Sequence, residues 1–593
     1  FTDIKDATKA EYTPQTGETG TVYYRVLVTN TTDGSASTAA GETITVTVAE
    51  NEVAVQAADT NAEEPAGSGT AADPYQIGNA DQLMWFAAKV NGSTKKSTSN
   101  LCAKLTSDID LTGKDWTPIG CYNSSSDYVY YGGTFDGTGH TVSWLTINNA
   151  KQYQALFGYV KGGTVRDLTV KGSVRTSASS SSYAAGIVAY GETITILNCT
   201  SEVDVTATGN GYAGGIVGTI KGQGSKLDKC INKGKIQGYG GFLGGILGNA
   251  TGKTIVSNCV NSGIVLCNAG FKTTAFSVGG IVGSAADGST ISRCGNTGNI
   301  TSPLKGTGGI VGRLAGTVEN SYNLGNVTGI YETGGIAGAS SAANSQINSC
   351  YNRGEIKGNV PNNTNNASRD KASKGIGGIV GNTTAAKNKV IIKSCYNMGT
   401  IENKTGITGV IIGGIIGNSS ANNASGAVSA TNLATATSCW YLDTTAAQGD
   451  GYNEKATGIT AKTAKQIADG DIGEGWTMGP DGYPILGWEN TDVEDATYDI
   501  TFDLKPDNAE TTVKDSSGKI IDPNEKGIYS LKNGEYSYEV KAEEYETKSG
   551  GFTVADGKQT IKVSLSLKKY DYVFTTDPED AKLTVKSGND VQK

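Results

Sequence analysis

The pentapeptide Gly-Gly-Ile-x-Gly, with an apolar residue at x, recurs seven times in the middle of the chain. Its copies start at Gly214, Gly244, Gly279, Gly308, Gly334, Gly377 and Gly413. Successive starts lie 26 to 43 residues apart, the spacing of a solenoid or array in which each repeat stacks on the next. A second signature, Cys-x-Asn-x-Gly-x-Ile/Val, runs from Cys230 to Ile236, Cys259 to Val265, Cys294 to Ile300, Cys350 to Ile356 and Cys395 to Ile401. One further copy puts Ser321 in place of the cysteine and keeps Asn323, Gly325 and Val327. No stretch between Gly214 and Cys439 carries a helical period. Short apolar runs separated by Gly and Asn suit strands and tight corners, because both residues tolerate a left-handed backbone. Each repeat therefore reads as one turn of an all-β parallel coil with about three short strands. At about 4.8 Å per turn, some nine turns make a rod roughly 40 to 50 Å long.

Stacking turns places equivalent residues in columns. Ile216, Ile246, Ile281, Ile310, Ile336, Ile379 and Ile415 are expected to form an apolar column, each contributing about 1.5 to 3 kcal/mol on burial. Asn232, Asn261, Asn296, Asn323, Asn352 and Asn397 are expected to bond side-chain amides from turn to turn. Seven of the ten cysteines, Cys199, Cys230, Cys259, Cys294, Cys350, Cys395 and Cys439, occupy one repeat position. Stacked parallel strands point such Cβ atoms the same way, which is poor disulfide geometry. Buried free thiols acting as small apolar residues are the expectation. Cys102, Cys121 and Cys267 lie off this column and their state is left open.

With 593 residues the chain has room for several domains. A net charge of −9 without a basic run argues against nucleic acid or an anionic membrane as partner. The longest apolar stretch, Ile407 to Gly417, is too short and glycine-rich to insert into a bilayer. Phe1 opens the chain without a signal peptide, as in a mature or partial segment.

Residues 1–52, with alternating runs Val22 to Val28 and Ile44 to Val48 around a turn-rich Asn30 to Gly41, read as the closing part of an immunoglobulin-like sandwich. Residues 53–66 form a linker. At 79–91, Asn79 and Gln82 make a capping box and Leu83, Phe86, Ala87 and Val90 recur at helical spacing. That helix is expected to plug the open end of the coil. Bulky residues of the 440–490 segment, Trp476, Tyr483, Pro484, Ile485, Leu486 and Trp488, are expected to close the other end. Residues 495–568 alternate as a small antiparallel sandwich, and the pattern of Tyr498, Phe502, Pro506, Ala509 and Val513 returns at Tyr570, Phe574, Pro578, Ala581 and Val585, opening a second, partial copy at 569–593. A monomeric segment of a longer modular protein is the expectation.

These repeats resemble the GLUG-motif family of bacterial surface proteins, over about residues 67–490. Supporting residues are Asp73-Pro74-Tyr75-Gln76-Ile77, Leu105 to Leu111, Trp116 to Gly120, Gly133 to Gly137 and Tyr483-Pro484-Ile485-Leu486. The resemblance implies a right-handed parallel β-helix and a place outside the cell, most often on Gram-positive bacteria, without implying a reaction. Residues after 495 resemble PEGA-like and carboxypeptidase-regulatory-like sandwiches.

Some proteins with such repeats are immunoglobulin A metallopeptidases, but a zincin site needs two histidines and this chain has His140 alone. No nucleophile motif accompanies His140. Asp108, Asp110 and Asp136 are the nearest to a carboxylate set for a polysaccharide lyase or glycoside hydrolase, in a setting of turns and strand ends. Asp108, Asp110, Thr112 and Gly113 imitate an EF-hand start, yet Ile119 stands where the loop needs Glu. Gly209, Gly211 and Gly214 match G-x-G-x-x-G with no helix following, and Gly252-Lys253-Thr254 lacks the upstream glycine of a phosphate loop. Neither cofactor nor metal is expected.

Specificity is then expected where the repeat is interrupted, at Tyr122 to Tyr131, Gly358 to Lys374 and Ser419 to Thr437, the last two as mobile surface loops. Tyr122, Tyr128, Tyr130 and Tyr131 are the candidate ligand-binding residues, able to stack on sugar rings or anchor a protein, unless they pack over the first turns. The leading reading is a non-catalytic adhesin or ligand-binding stalk for a host or microbial glycan or surface protein. A polysaccharide-degrading β-helix enzyme and a passive spacer of a larger surface enzyme are the alternatives.

Overall fold

A computed structural model describes residues 20–32, 35–48 and, apart from short segments of which the longest are 269–276, 359–374, 490–496 and 570–584, residues 63–592. The chain divides into two units, residues 1–64 and 65–593. Described residues of the first unit form one antiparallel hairpin, Gly20–Thr32 paired with Ser35–Val48. Strand thus occupies most of the stretch from Asn30 to Gly41 that its composition marks as turn.

The second unit is built on a parallel β-solenoid, and one turn shows how the repeat folds. Gly211–Gly214 belongs to a nine-stranded narrow sheet and Val217–Lys221 to a second narrow sheet. Ser225–Asp228, Ile231–Asn232 and Ile236–Gly238 then cross a 28-stranded broad face before Phe242–Gly244 opens the next turn. Turns stack in register: Gly214 pairs with Gly244, Val217 with Leu247 and Asn232 with Asn261. The Ile216 column is fully buried at all seven positions.

The pentapeptide makes the corner between the narrow sheets, and its glycines lie where side chains have little space. None has a left-handed φ. On the outer side of the corner, the first glycine of each turn lies against the last glycine of the next. A Cβ on Gly244 would sit 2.8 Å from Gly283 N, one on Gly308 2.6 Å from Gly338 N, and one on Gly334 2.7 Å from Gly381 N. The middle glycine faces inward onto the asparagine column, where a Cβ on Gly215 would meet Asn232 Oδ1 at 2.2 Å and one on Gly309 would meet Asn323 Cγ at 2.4 Å. The two signatures therefore interlock. In an earlier turn, Ala185 and Ala189 stand where Gly214 and Gly218 stand in the next.

Every asparagine of the column is fully buried. Asn261 Nδ2 donates to Gly263 O at 2.9 Å and to Asn296 Oδ1 at 2.8 Å, and the same pair of bonds repeats at Asn232, Asn296, Asn323 and Asn352. Both amide hydrogens are thus spent inside the rod. All ten cysteines are free thiols, and those of the repeat column are buried. Cys259 Sγ accepts from Cys230 N at 3.4 Å and Ser321 Oγ from Cys294 N at 3.1 Å, so serine does the cysteine's bonding in the exceptional turn. Burial pushes the Cys230 and Cys259 thiols well above their ordinary range.

Left-handed backbone does occur, immediately before the cysteine position. Asn198, Lys229, Asn258, Arg293, Asn320, Ser349, Ser394 and Ser438 all have φ between 48° and 54°. This bend divides the broad face into its short strands. Its residue types vary from turn to turn, so the sequence gives it no signature.

Helix α1, Ala80–Asn91, plugs one end of the solenoid: Leu83, Phe86 and Val90 are fully buried in the same core as Phe135 and Phe157. Asn79 Oδ1 caps Gln82 N, while Gln82 Oε1 reaches back to Gly78 N at 2.7 Å. At the opposite end Tyr441 follows Asn397 in register and packs its ring against Gly414. The bulky residues beyond it do not cap that end. They strap the side of the broad face, where Tyr322, Tyr351, Tyr396 and Trp440 stack as a column with the last two pairs 4.9 and 4.3 Å apart. Trp476 packs edge-on against Tyr396, Trp488 Nε1 donates to Asn320 O at 3.1 Å, and Tyr351 OH donates to Glu489 Oε2 at 2.6 Å. The stretch from Ser419 to Thr437, expected as loop, contains the hairpin Ser420–Asn422 with Val428–Asn432 and a broad-face strand, Ala434–Thr437. Most of Gly358 to Lys374 lies outside the described residues.

After residue 496 come a three-stranded and a four-stranded sheet around Ile500, Val513, Tyr529, Leu531 and Val554. The arrangement is not purely antiparallel, since Thr497–Lys505 pairs parallel with Gln559–Ser564. Of the expected partial second copy, Val585–Ser587 and Asp590–Gln592 pair as a hairpin, while Tyr570, Phe574, Pro578 and Ala581 lie outside the described residues.

Two substitutions test this account by equilibrium denaturation. Asn323→Ala strands the Gly325 carbonyl and one partner on each neighbouring asparagine, and is expected to cost about 3 kcal/mol or more. Arg293→Gly relieves a left-handed backbone and is expected to fall within about 0.5 kcal/mol of wild type or above it. A cost above about 1 kcal/mol, usual for glycine in a regular strand, would contradict the bend.

Candidate functional site

The glycine corner folds the narrow sheets toward each other on the outside of the rod, and their outward side chains form two facing rows. Pairing down the first sheet gives Tyr153, Tyr183, Tyr212, Phe242 and Ser277. Down the second it gives Tyr159, Tyr190, Thr219, Asn249, Ser284, Arg313, Ala339 and Asn382. A hairpin, Cys121–Ser124 with Asp127–Tyr131, extends the second row by Tyr130 and adds Tyr122 and Tyr128. Eight tyrosines and Phe242 thus meet at the early turns.

Most ring faces in this assembly are covered by other rings. Tyr153 and Tyr183 stack at 4.9 Å, Tyr183 and Tyr212 at 5.0 Å, and Tyr128 and Tyr130 at 4.5 Å. Across the corner the rows meet edge to face, Tyr183 with Tyr190 at 5.1 Å and Tyr122 with Tyr153 at 5.4 Å. Tyr122, Tyr128 and Tyr130 are half-buried, so the surface they offer is one of ring edges and hydroxyls. Tyr131 does not belong to it: the alternation of the strand turns Tyr131 inward, where it is 0% exposed against Phe157. The repeat-position tyrosines at 153, 159, 183, 190 and 212 were missed as site residues. The signal available was a tyrosine two residues before the first corner glycine, as in Tyr212-Ala213-Gly214.

Burial, followed by the nearness of other phenols, holds the hydroxyls of Tyr153, Tyr159 and Tyr190 in their neutral form. Tyr190 is pushed up to about 12, and Tyr153 and Tyr159 higher still. Tyr159 OH donates to Glu192 Oε2 at 3.2 Å, and Glu192 pairs with Lys161 at 3.0 Å.

The carboxylates considered for hydrolysis or elimination serve turns. Asp108 Oδ1 accepts from Thr141 N at 2.9 Å and pairs with His140 Nδ1 at 3.1 Å. Asp110 Oδ1 accepts the amide and hydroxyl of Thr112. Asp136 accepts from Thr138 N and pairs with Arg166 at 2.5 Å. Hydrogen bonds hold Asp108 and Asp110 below the usual carboxylate range, which suits neither to donate a proton near neutral pH. Among the described residues no group of three His, Cys, Asp or Glu side chains could hold a metal, and no helix is long and apolar enough to cross a membrane. An open depression of about 750 Å³ beside α1, lined by Ser68, Thr70, Lys89 and Asn100 among others, shares no lining residue with the tyrosine rows and has Lys89 as its one charged lining residue.

No protein-family model matches this chain. Over 166 residues it is 31% identical to halomucin of Haloquadratum walsbyi, a match that covers 26% of this chain and about 2% of halomucin's length. Among solved structures it is similar to one from Bacteroides ovatus described as a "putative immunoglobulin A1 protease", at 20% identity over 72% of this chain and 95% of that one, with a TM-score of 0.28. At that score the fold rests on the strand pairing of this chain alone.

The raised phenols make stability depend on alkali. Groups whose pKa is higher folded than unfolded contribute fully below about pH 10, the unfolded value, and lose that contribution as pH rises through the folded one. The denaturation midpoint is therefore expected to fall between pH 10 and 12, and Tyr190→Phe to flatten the fall. Equal slopes in wild type and variant would contradict the packing of these rings.

Proposed function

We propose that this chain is a non-catalytic, ligand-binding part of an extracellular protein, and that its ligand is a glycan held on the tyrosine rows of the early turns. The observation that carries the reading is the assembly of eight tyrosines on one outer corner of a rigid coil. Phenol hydroxyls donate as well as accept, as polyhydroxylated ligands require. Packing of ring on ring fixes the array before a ligand arrives, which lowers the entropy lost on binding. Asp108, Asp110 and Asp136 are engaged in turns. Placement outside the cell draws on the resemblance to GLUG-motif surface proteins, and the flanking strands fit immunoglobulin-like and PEGA-like spacers in the same scheme.

Glycan and protein arrays probed with the whole chain test this reading. Retention on one class of glycan is expected, weakened about tenfold by Tyr130→Ala and by Tyr128→Ala, a loss of about 1.4 kcal/mol each. Retention on proteins alone would replace the glycan by a protein partner. Release of reducing ends or unsaturated sugars from a polysaccharide panel would contradict the non-catalytic assignment.

A further inference from the structure

Further along the same corner the rows lose their rings and carry Ser277, Ser284, Arg313, Glu332 and Asn382. Two of the six buried side-chain polar atoms without a hydrogen-bond partner among the described residues lie here, at Ser277 Oγ and Asn382 Oδ1. Both residues are 0% exposed. The most unusual member is Glu332, whose side chain is 7% exposed. Its backbone is left-handed, with φ 50°, one residue before the strand pair Thr333 and Thr307. In the preceding turn the equivalent left-handed position is Gly306, φ 73°. A carboxylate therefore occupies a place where the neighbouring turn uses glycine, and such strain is characteristically kept where a side chain must be aimed.

The carboxylate is short of donors. Arg313 approaches Glu332 Oε2 at 3.3 Å and Asn382 Nδ2 approaches Oε1 at 3.4 Å, both longer than the 2.7 to 2.9 Å usual for charge-assisted bonds. Asn382 Oδ1 has no donor among the described residues. Buried acceptors in this state cost free energy until a donor reaches them. The Arg313 side chain, 37% exposed, keeps further N–H groups for a guest's oxygen. A guest must then donate to Glu332 and Asn382 and accept from Arg313. Adjacent hydroxyls of a sugar do both; an anion is repelled by Glu332 and an ammonium by Arg313.

We infer that Glu332, Arg313 and Asn382 form a second subsite on the glycine corner, which binds neighbouring hydroxyls of a neutral sugar in a chain laid along the rod from the tyrosine rows. This rests on the glycan reading above. From Tyr190 to Arg313 is four turns, roughly 19 Å, so only a chain of several sugars reaches both places.

The test is calorimetric titration of the whole chain with linear neutral oligosaccharides of glucose, mannose and N-acetylglucosamine, from disaccharide to octasaccharide. For one of these series, affinity is expected to rise with length. Glu332→Gln and Arg313→Gln are expected to remove that gain, about tenfold for the octasaccharide, with short sugars unaffected. Glu332→Gly, which relieves the backbone, is expected to lose the same gain while melting no lower than Glu332→Gln. Tyr130→Ala weakens short and long sugars alike. Length-independent binding, or a length gain that survives both Glu332 variants, overturns the subsite and leaves the tyrosine reading standing. A length gain lost in the Glu332 variants, with affinity for every length unchanged by Tyr130→Ala, supports the subsite and removes the tyrosine reading. No binding by any oligosaccharide overturns the subsite.

Discussion

Everything in the solenoid depends on the contact between the corner glycines and the asparagine column. The middle glycine of every pentapeptide but the last presses on a buried amide, and that amide spends both hydrogens on its own turn and the next. A buried amide left unbonded is costly, whereas a column of them, each satisfied by its neighbour, fixes register. Register matters because a slip by one residue would turn every side chain to the opposite face. The isoleucine column supplies the apolar burial, and the amides supply the order in which turns stack.

From the same contact follows the surface available for function. With its middle glycine set against the asparagine, the corner brings the outer glycines of successive turns into backbone contact and folds two sheets toward each other. Side chains on those sheets then face one another at intervals set by the strand spacing. Early turns fill the corner with tyrosine; later turns leave small and polar residues there, with Glu332 and Arg313 among them. Sequence variation at two repeat positions thus changes the chemistry of the corner without changing the coil. The strap from Ala464 to Glu489 leaves this corner uncovered, since it binds the aromatic column on the broad face.

Much of the architecture is legible in the sequence because spacing carries it: the parallel coil, the isoleucine and asparagine columns, the free thiols and the plugging helix. Less legible is whatever depends on contacts between turns. The left-handed residue before each cysteine is Lys229, Arg293 or Ser394 as readily as Asn258, so no residue type marks it. The glycines of the pentapeptide invite a conformational explanation, yet the cause is lack of space against the next turn. Composition points to Tyr122, Tyr128 and Tyr130 as a local cluster, whereas Tyr153, Tyr183, Tyr190 and Tyr212 lie scattered over about two repeats and converge only when the turns stack. Tyr131 is one residue out of phase with them, enough to bury it. Trp476 and Trp488 are recognisably cover for an apolar surface, but nothing in their spacing tells an end from a side.

The central claim is that the corner glycines are fixed by inter-turn contact. Equilibrium denaturation of Gly309→Ala beside Gly487→Ala tests it most directly, because a Cβ at Gly309 would lie 2.0 Å from Gly335 O of the next turn while one at Gly487 would meet nothing within 4 Å. Gly309→Ala is predicted to lose about 3 kcal/mol or more, and Gly487→Ala to stay within about 0.5 kcal/mol of wild type. Equal stability of the two variants would contradict the account.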